Sequence, residues 1–586
     1  MTNVADNQTP PWLHFGILTL LGLVAANLLA WRTIEPDLWG HIQYGEDWLY
    51  YGSMPRTATH TYSTPDYPWI NHENIFELAV ALGQRWIGGT GLMIFKCVSG
   101  LWLLALMIRH ARRRDVPLMG AVAAMVPVSA GLAEFWLMRP QLFSFLCFGL
   151  LMLIFESAFQ KWNVPTTAAG KPRGRILILT VPLMIFWTNS HGGFLAGLCV
   201  ILALLGLRGI EAVWHHRRAA TGTVILFAII GAASIAAVFA NPYGWELPWW
   251  MLVSLSQPRP EVSEWANVLD GGVTAFPFIA LSALTILSIV LTKKRRDWVE
   301  LTVLFLIAVQ TLGHVRHLAF FSLAFGFWMP EHLMSLWHRL VDWRPTLGQN
   351  EPLSAKAERW IGLELIAVAA ALGGLLGYNL WNFGVDRTKY PVDAVEFMAR
   401  ENIQGRAVVT FDWAQYALAA LHPGTTVGFD GRYDTCYPQV VVDMNFDLLF
   451  GKDMSRRHRG KDSGPVDSDR VLEFGNPNLV LLDRTVDQPA IEHMATRTDW
   501  TLLYQDALSA LYGRRSEFDD PSSPTYFPPT RRSITEHAPE GIAVWPGFPG
   551  RTGRNAFSPA VAEEIDRQFK AANAPRVSDA ASNPLQ

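Results

Sequence analysis

Residues 12–48, WLHFGILTLLGLVAANLLAWRTIEPDLWGHIQYGEDW, carry a long apolar run straight into a cluster of acids, aromatics and a histidine. The apolar part is long enough to cross a bilayer. It follows MTNVADNQTPP, which lacks the basic segment of a cleaved signal, so it reads as a retained signal anchor. Glu35 and Asp37 stand two residues apart just after this span, with His41 one helical turn beyond Asp37. Carboxylates placed there face a substrate resting at the membrane interface and suit proton abstraction; the alternative is a solvated stretch that caps a helix.

Outward from this stretch, the composition supports a membrane class. Of 586 residues, 50% are hydrophobic and 17% are charged, a low charge content for a soluble surface. The formal net charge of -3 gives no reason to expect nucleic acid or a strongly anionic partner. Cys97, Cys147 and Cys199 fall in apolar runs and Cys436 in a polar one, with no disulfide or metal-ligand spacing.

Apolar runs recur from 12 to 381, about eleven in number. Basic clusters lie between them: Arg109 with Arg112, Arg113 and Arg114; 161–175; Arg208 with Arg217 and Arg218; 293–296; and 339–359. If these are cytoplasmic, residues 1–11 are cytoplasmic too and the other loops are external. Residues 75–87 contain Glu77, Gln84 and Arg85, so they read as an amphipathic interfacial helix inside a first external loop, 32–89, rather than as a span. An odd number of spans delivers the rest of the chain to the outside. Lys96 and Glu156, within or near spans, are expected to snorkel toward opposite interfaces.

From Tyr390 the pattern turns globular. PVDAVEFMAREN is helical, while RAVVTF, TTVGFD, NLVLLD and TLLYQDALSALYG are strand-like, and 452–469 is a polar loop. This predicts an extracytoplasmic α/β domain over 382–515 and a mostly disordered tail over 516–586.

Several external turns present polar groups: LMRPQ with Arg139, WTNSHGG with His191, SEWANV with Glu264, and LGHVRHLAFF with Arg316 and His317. An arginine flanked by apolar helix is costly unless it meets a cavity or an anion, and its planar fork fits phosphate. Arg139 and Arg316 are therefore phosphate-clamp candidates, with snorkelling as the alternative. His191 beside Gly192 and Gly193 fits either a ligand contact or a polar turn. In the first loop, Trp69 reads as an interface anchor, and His72 with Glu73 as either cavity lining or a helix cap. FDWAQY and GFDGRYDTCYP gather Asp412, Asp430, Arg432, Asp434 and Tyr437 near strand ends, where acceptor binding and turn packing are both open.

The string DLWGHIQYGEDWLYYGSMPRTATHTYSTPDYPWINHE, with LMRPQLFSF, FWTNSHGGFLAG, NPYGWELP, VRHLAFF and DWAQYALAALHPGTTVGFDGRYDTCYP, resembles a largely uncharacterised group of bacterial membrane proteins similar to GT-C glycosyltransferases. The resemblance covers most of 12–512. It implies a GT-C-like, α-helical polytopic transmembrane domain over 12–381 and an enzyme of the bacterial inner membrane that transfers a sugar from a polyprenyl-phosphate donor. The acceptor is an extracytoplasmic glycan, lipid or protein. Asp37 matches the acceptor-activating acid and Glu35 its neighbour, although Pro36 separates acids that adjoin in many superfamily members. Arg139, Arg316, His317, His41, His72, Glu73, His191 and Glu264 then form the expected substrate-binding set. No cofactor is assigned, with a divalent cation left as an alternative. The rival classes are a transporter or lipid flippase and a non-catalytic envelope assembly or sensor protein.

Overall fold

The computed structural model describes residues 10–550, except 161, 163–171, 256, 271, 345–353 and 456, together with Arg567. The expectations for the first nine residues, for most of the basic stretch 161–175, for 345–353 and for the tail beyond 550 lie outside the described residues. The chain divides into two compact units. One comprises Met1–Thr33, Thr90–Val253 and Val262–Phe383, and the other Ile34–Gly89, Ser254–Glu261 and Gly384–Gln586.

The first unit is helical. Among the described residues, six helical stretches are long and apolar enough to cross a membrane: Pro11–Leu29, Asn74–Arg113, Gln141–Phe159, Phe194–Val238, Gly272–Leu291 and Ala355–Trp381. Three shorter apolar helices accompany them, Leu118–Ala133, Gly174–Thr188 and Trp298–Gly313. Helices satisfy their own backbone groups, which is what lets such runs cross hydrocarbon. The chain is a multi-pass membrane protein. Its first and last long helices pack together, and Asn27 Nδ2 donates to the Leu372 carbonyl at 3.0 Å. Every residue of Leu318–Trp328 is buried, which makes this helix the centre of the unit.

Charges inside this unit are used differently from the sequence expectation. Lys96 does not snorkel; it is fully buried and donates to the Trp31 carbonyl. Glu156 likewise turns inward to accept from Arg114 at 3.0 Å and from Trp328 Nε1 at 3.0 Å. Arg114 also pairs with Glu331 at 2.9 Å and Glu300 at 3.5 Å, and Arg208 with Asp297 at 2.7 Å, Glu211 at 2.9 Å and Glu300 at 3.5 Å. Satisfying a buried charge with partners from neighbouring helices offsets a desolvation cost that a lone snorkelling side chain avoids by reaching water.

The second unit is α/β. Its strands are β1 Gly384–Asp386, β2 Gly405–Val409, β3 Thr425–Val427, β4 Leu479–Asp483, β5 Trp500–Gln505, β6 Ser509–Arg514, β7 Ser533–Ile534 and β8 Ile542–Val544. Six of them form one sheet in the order β3-β2-β4-β6-β5-β7, and β1 pairs with β8. β2 runs parallel to both β3 and β4, while β6 is antiparallel to β4 and β5. The apolar run of β4 is buried along its whole length, as a strand covered on both faces requires. The chain leaves β2 for β3 on one side and later returns to β4 on the other. The carboxyl ends of β2 and β4 thus flank a topological switch point, where α/β sheets open a crevice.

The expected disordered tail is ordered over its first part. β7 joins the sheet beside β5, β8 pairs with β1, and Phe518, Phe527 and Trp545 are buried. Composition hid this because a few widely spaced aromatic anchors and sheet-edge pairing leave no periodic pattern. The segment 75–87 is helical, as expected, but it opens the longer run Asn74–Arg113, which Gly88 interrupts at φ 62 and ψ -173.

Candidate active site

The first loop belongs to the second unit, where it is fastened by its own motif. The helix Leu38–Tyr51 starts at Asp37, whose side chain makes no capping bond to it. Two residues on, Trp39 is buried among aromatics: its ring stacks on Trp545 at 5.3 Å and meets Tyr390 and Tyr416 edge-on at 4.8 and 5.0 Å. Its Nε1 donates to the Pro546 carbonyl at 2.9 Å. Gly40 lies so close to the Gln415 amide that a Cβ there would overlap it. Gln415 Oε1 in turn accepts from the Tyr44 hydroxyl at 2.9 Å.

Asp37 faces the turn after β3. A Cβ on Gly431 would lie 2.9 Å from Asp37 Cγ and overlap its Oδ1. Asp412, just beyond the carboxyl end of β2, keeps part of its surface open to solvent. Burial, then the charges of Asp37 and Asp483, raises its pKa above the usual carboxylate value. Burial together with Glu35, Asp412 and Asp37 pushes the Tyr390 hydroxyl up as well. Glu35, Asp37, Asp412 and Tyr390 therefore share one electrostatic environment at the sheet's switch point.

The helix start beyond this point gathers the other expected loop residues. His41 is buried, with Nδ1 3.5 Å from Glu77 Oε1 and Nε2 3.9 Å from Glu73 Oε2. Burial alone would lower its pKa, but Glu77, Glu73 and Asp37 outweigh that and raise it. Glu77 also accepts from Asn71 Nδ2 at 2.6 Å, and His72 Nε2 lies 3.7 Å from Glu73 Oε1.

Asp430, Arg432 and Tyr437 of GFDGRYDTCYP are tied to one another. Asp430 is fully buried and accepts from the Arg432 amide at 3.0 Å, Arg432 Nε at 2.9 Å, Arg432 Nη2 at 2.7 Å and the Tyr437 hydroxyl at 2.6 Å. Burial would raise this carboxyl, but Arg432 and Tyr437 hold it below the usual range. The Arg432 guanidinium lies 4.8 Å from the ring centres of both Tyr44 and Trp69. Trp69 is thus a buried partner of Arg432, not the interface anchor its composition suggested; the cation holds its ring inside. Asp434 binds Arg259 Nη2 at 2.5 Å and Ser254 Oγ at 2.8 Å.

In the helical unit, the turn Ser263–Trp265 brings together the expected polar groups. Glu264 pairs with Arg139, and Trp265 lies under the Arg316 guanidinium at 5.0 Å. His314 Nδ1 is 2.9 Å from the Trp265 carbonyl, and the His314 and His317 rings are 6.1 Å apart. His191 stands in a separate polar turn. It is buried, with Nδ1 2.7 Å from Ser144 Oγ and accepting from the Gly193 amide at 3.0 Å.

Gly431, Gln415 and Tyr390 were not singled out in the sequence, because their role depends on loop residues far away in the chain. Among the described residues no group of three or more His, Cys, Asp or Glu side chains is placed to hold a metal ion.

No protein-family model matches the chain, and no curated protein does. Among solved structures, the chain is similar to the archaeal oligosaccharyltransferase AglB from Archaeoglobus fulgidus, in complex with an inhibitory peptide and a dolichol-phosphate. The TM-score is 0.51 at 12% identity, over 80% of this chain and 69% of that one. This likeness is one of fold. A further similar structure is ArnT from Cupriavidus metallidurans bound to undecaprenyl phosphate, with a TM-score of 0.49 at 11% identity over 89% of this chain and 100% of that one.

Proposed function

We propose that this GT-C-fold protein is a membrane glycosyltransferase that moves a sugar from a polyprenyl-phosphate donor to an extracytoplasmic glycan, lipid or protein. The reading takes about eleven crossings of a bacterial inner membrane, an amino terminus in the cytoplasm and the α/β sheet outside. The positions of the lysine and arginine clusters support that orientation. One observation carries the catalytic part: the Asp37 carboxylate is packed against Gly431 in the turn after β3, and its charge acts on Asp412 and Tyr390.

In this reading Asp37 takes the proton from an acceptor hydroxyl. The acceptor oxygen bonds to the anomeric carbon as the bond from that carbon to the phosphate oxygen breaks, and the polyprenyl phosphate leaves with the electron pair. The displacement is direct and inverts the anomeric centre. Glu35 supports Asp37. Arg316, with Arg139 and His317, receives the departing phosphate; stacking on Trp265 uses the face of the guanidinium, whereas phosphate takes its in-plane N–H groups. His41, His72, Glu73, His191 and Glu264 complete the substrate-binding set.

The test is transfer by the purified protein with polyprenyl-phosphate sugars. Asp37→Asn is expected to lower turnover about 10²- to 10⁴-fold, the usual size of a general-base contribution. Normal turnover by that variant removes Asp37 from the role. Transport is a second reading, favoured by Lys96, an ionisable group fully buried in a membrane helix. Lipid or ion flux in vesicles without any sugar transfer would establish that reading instead.

A further inference from the structure

We propose that Gly431 is a positioning residue for Asp37: the space left by its missing side chain is where the Asp37 carboxylate is held. The proposal rests on the base role given to Asp37 above.

The contact is tight from both directions. A Cβ on residue 431 would overlap Asp37 Oδ1 and come within 3.2 Å of Gln415 Nε2. The backbone on the glycine side cannot retreat. Its neighbours Asp430 and Arg432 are tied by three hydrogen bonds, Arg432 Nη2 donates to the Thr59 carbonyl at 2.7 Å, and the guanidinium is packed against Tyr44 and Trp69. Nor is the loop side free to yield. Trp39 fixes the chain two residues beyond Asp37, and Gly40 sits against the same Gln415 that approaches residue 431.

A carboxylate gripped in this way keeps one position. A general base must be held within hydrogen-bond reach of the proton it removes, and small displacements of catalytic groups carry large rate penalties. The glycine in GFDGRYD thus does its work through Asp37, while the flanking Asp430 and Arg432 hold the glycine.

The experiment is a double-mutant cycle on the full-length protein in detergent or nanodiscs, read by melting temperature and by transfer kinetics. Gly431→Ala is expected to lower the melting temperature in the native background and to lower it much less in an Asp37→Ala background, because removing the carboxylate leaves only the milder contact with Gln415 Nε2. In the kinetics, Gly431→Ala is expected to reduce kcat about 10- to 100-fold while the donor KM stays within about twofold, since a displaced base weakens the transition state rather than donor binding. Equal melting losses in both backgrounds overturn the contact. Native kcat in Gly431→Ala overturns the positioning role. Coupled melting temperatures in a native protein that transfers no sugar leave the grip intact and overturn both its catalytic consequence and the base role of Asp37.

Discussion

Asp487 lies at the amino-terminal end of the helix Gln488–Thr496, almost fully buried, and accepts from Thr410 Oγ1 at 2.5 Å. Burial, with Asp483 and Asp412 nearby, pushes its pKa to about 7 despite the Thr410 bond. A raised acid binds its proton more tightly in the folded state. Its contribution is therefore complete below the unfolded value and is lost as pH rises through the folded one. Native stability should fall between about pH 4 and pH 7 on this account, by at most about 4 kcal/mol for a shift of roughly three pH units. Asp487→Asn keeps the acceptor for Thr410 and should flatten that part of the profile. Melting temperatures of both proteins across this range decide it, and parallel curves would contradict the assignment. At this scale the sequence was legible where chemistry is local. Glu35 and Asp37 announce themselves by following an apolar run, and His41, His72 and Glu73 by their closeness to it. Asp412 was visible as a residue but not as a neighbour of Asp37, because side-chain pairing across hundreds of residues leaves no trace in a single chain.

Elements were read well where periodicity is strong. The strands expected from RAVVTF, TTVGFD, NLVLLD and TLLYQDALSALYG are β2 to β6, and the segment 75–87 is helical. Arg114 shows where such reading stops. It belongs to a basic cluster of the kind that sets orientation, yet it also joins Glu156, Glu300 and Glu331, which lie on three different helices. Charge counting reports which side of the membrane a residue prefers; it cannot report which helix supplies the partner. Arg114→Ala removes the cation shared by three acids, of which Glu300 keeps Arg208 at 3.5 Å, and is expected to cost about 3–5 kcal/mol, the usual result of breaking a buried pair from one side. Arg114→Lys should recover only part of this, since an ammonium lacks the fork that reaches several carboxylates. Thermal melts of the two variants test the ranking, and equal losses would count against a multi-armed role.

The second unit is assembled from Ile34–Gly89, Ser254–Glu261 and the carboxy-terminal segment, so neither the loop nor the sheet is a self-sufficient piece. Trp39 and Trp69 find their partners in residues 390–546. Ending the chain after residue 383 should leave 34–89 readily cut by protease while the helical stretches stay protected, a contrast that limited proteolysis in membranes reads directly. Resistance of the loop in the truncated chain would show that it folds without the sheet. Such three-part construction is the feature least accessible to sequence reading, which proceeds by contiguous segments. It also sets a timetable for biosynthesis. About 300 residues separate the end of the first loop from the start of β1. At roughly 5–20 residues per second, the ribosome needs about 15–60 s to make them. Through that interval Trp39, Trp69 and the Asp37 turn wait without their partners. The newborn protein acquires a finished Asp37 environment only near the end of translation, so a prematurely terminated chain inserts its helices without ever completing it.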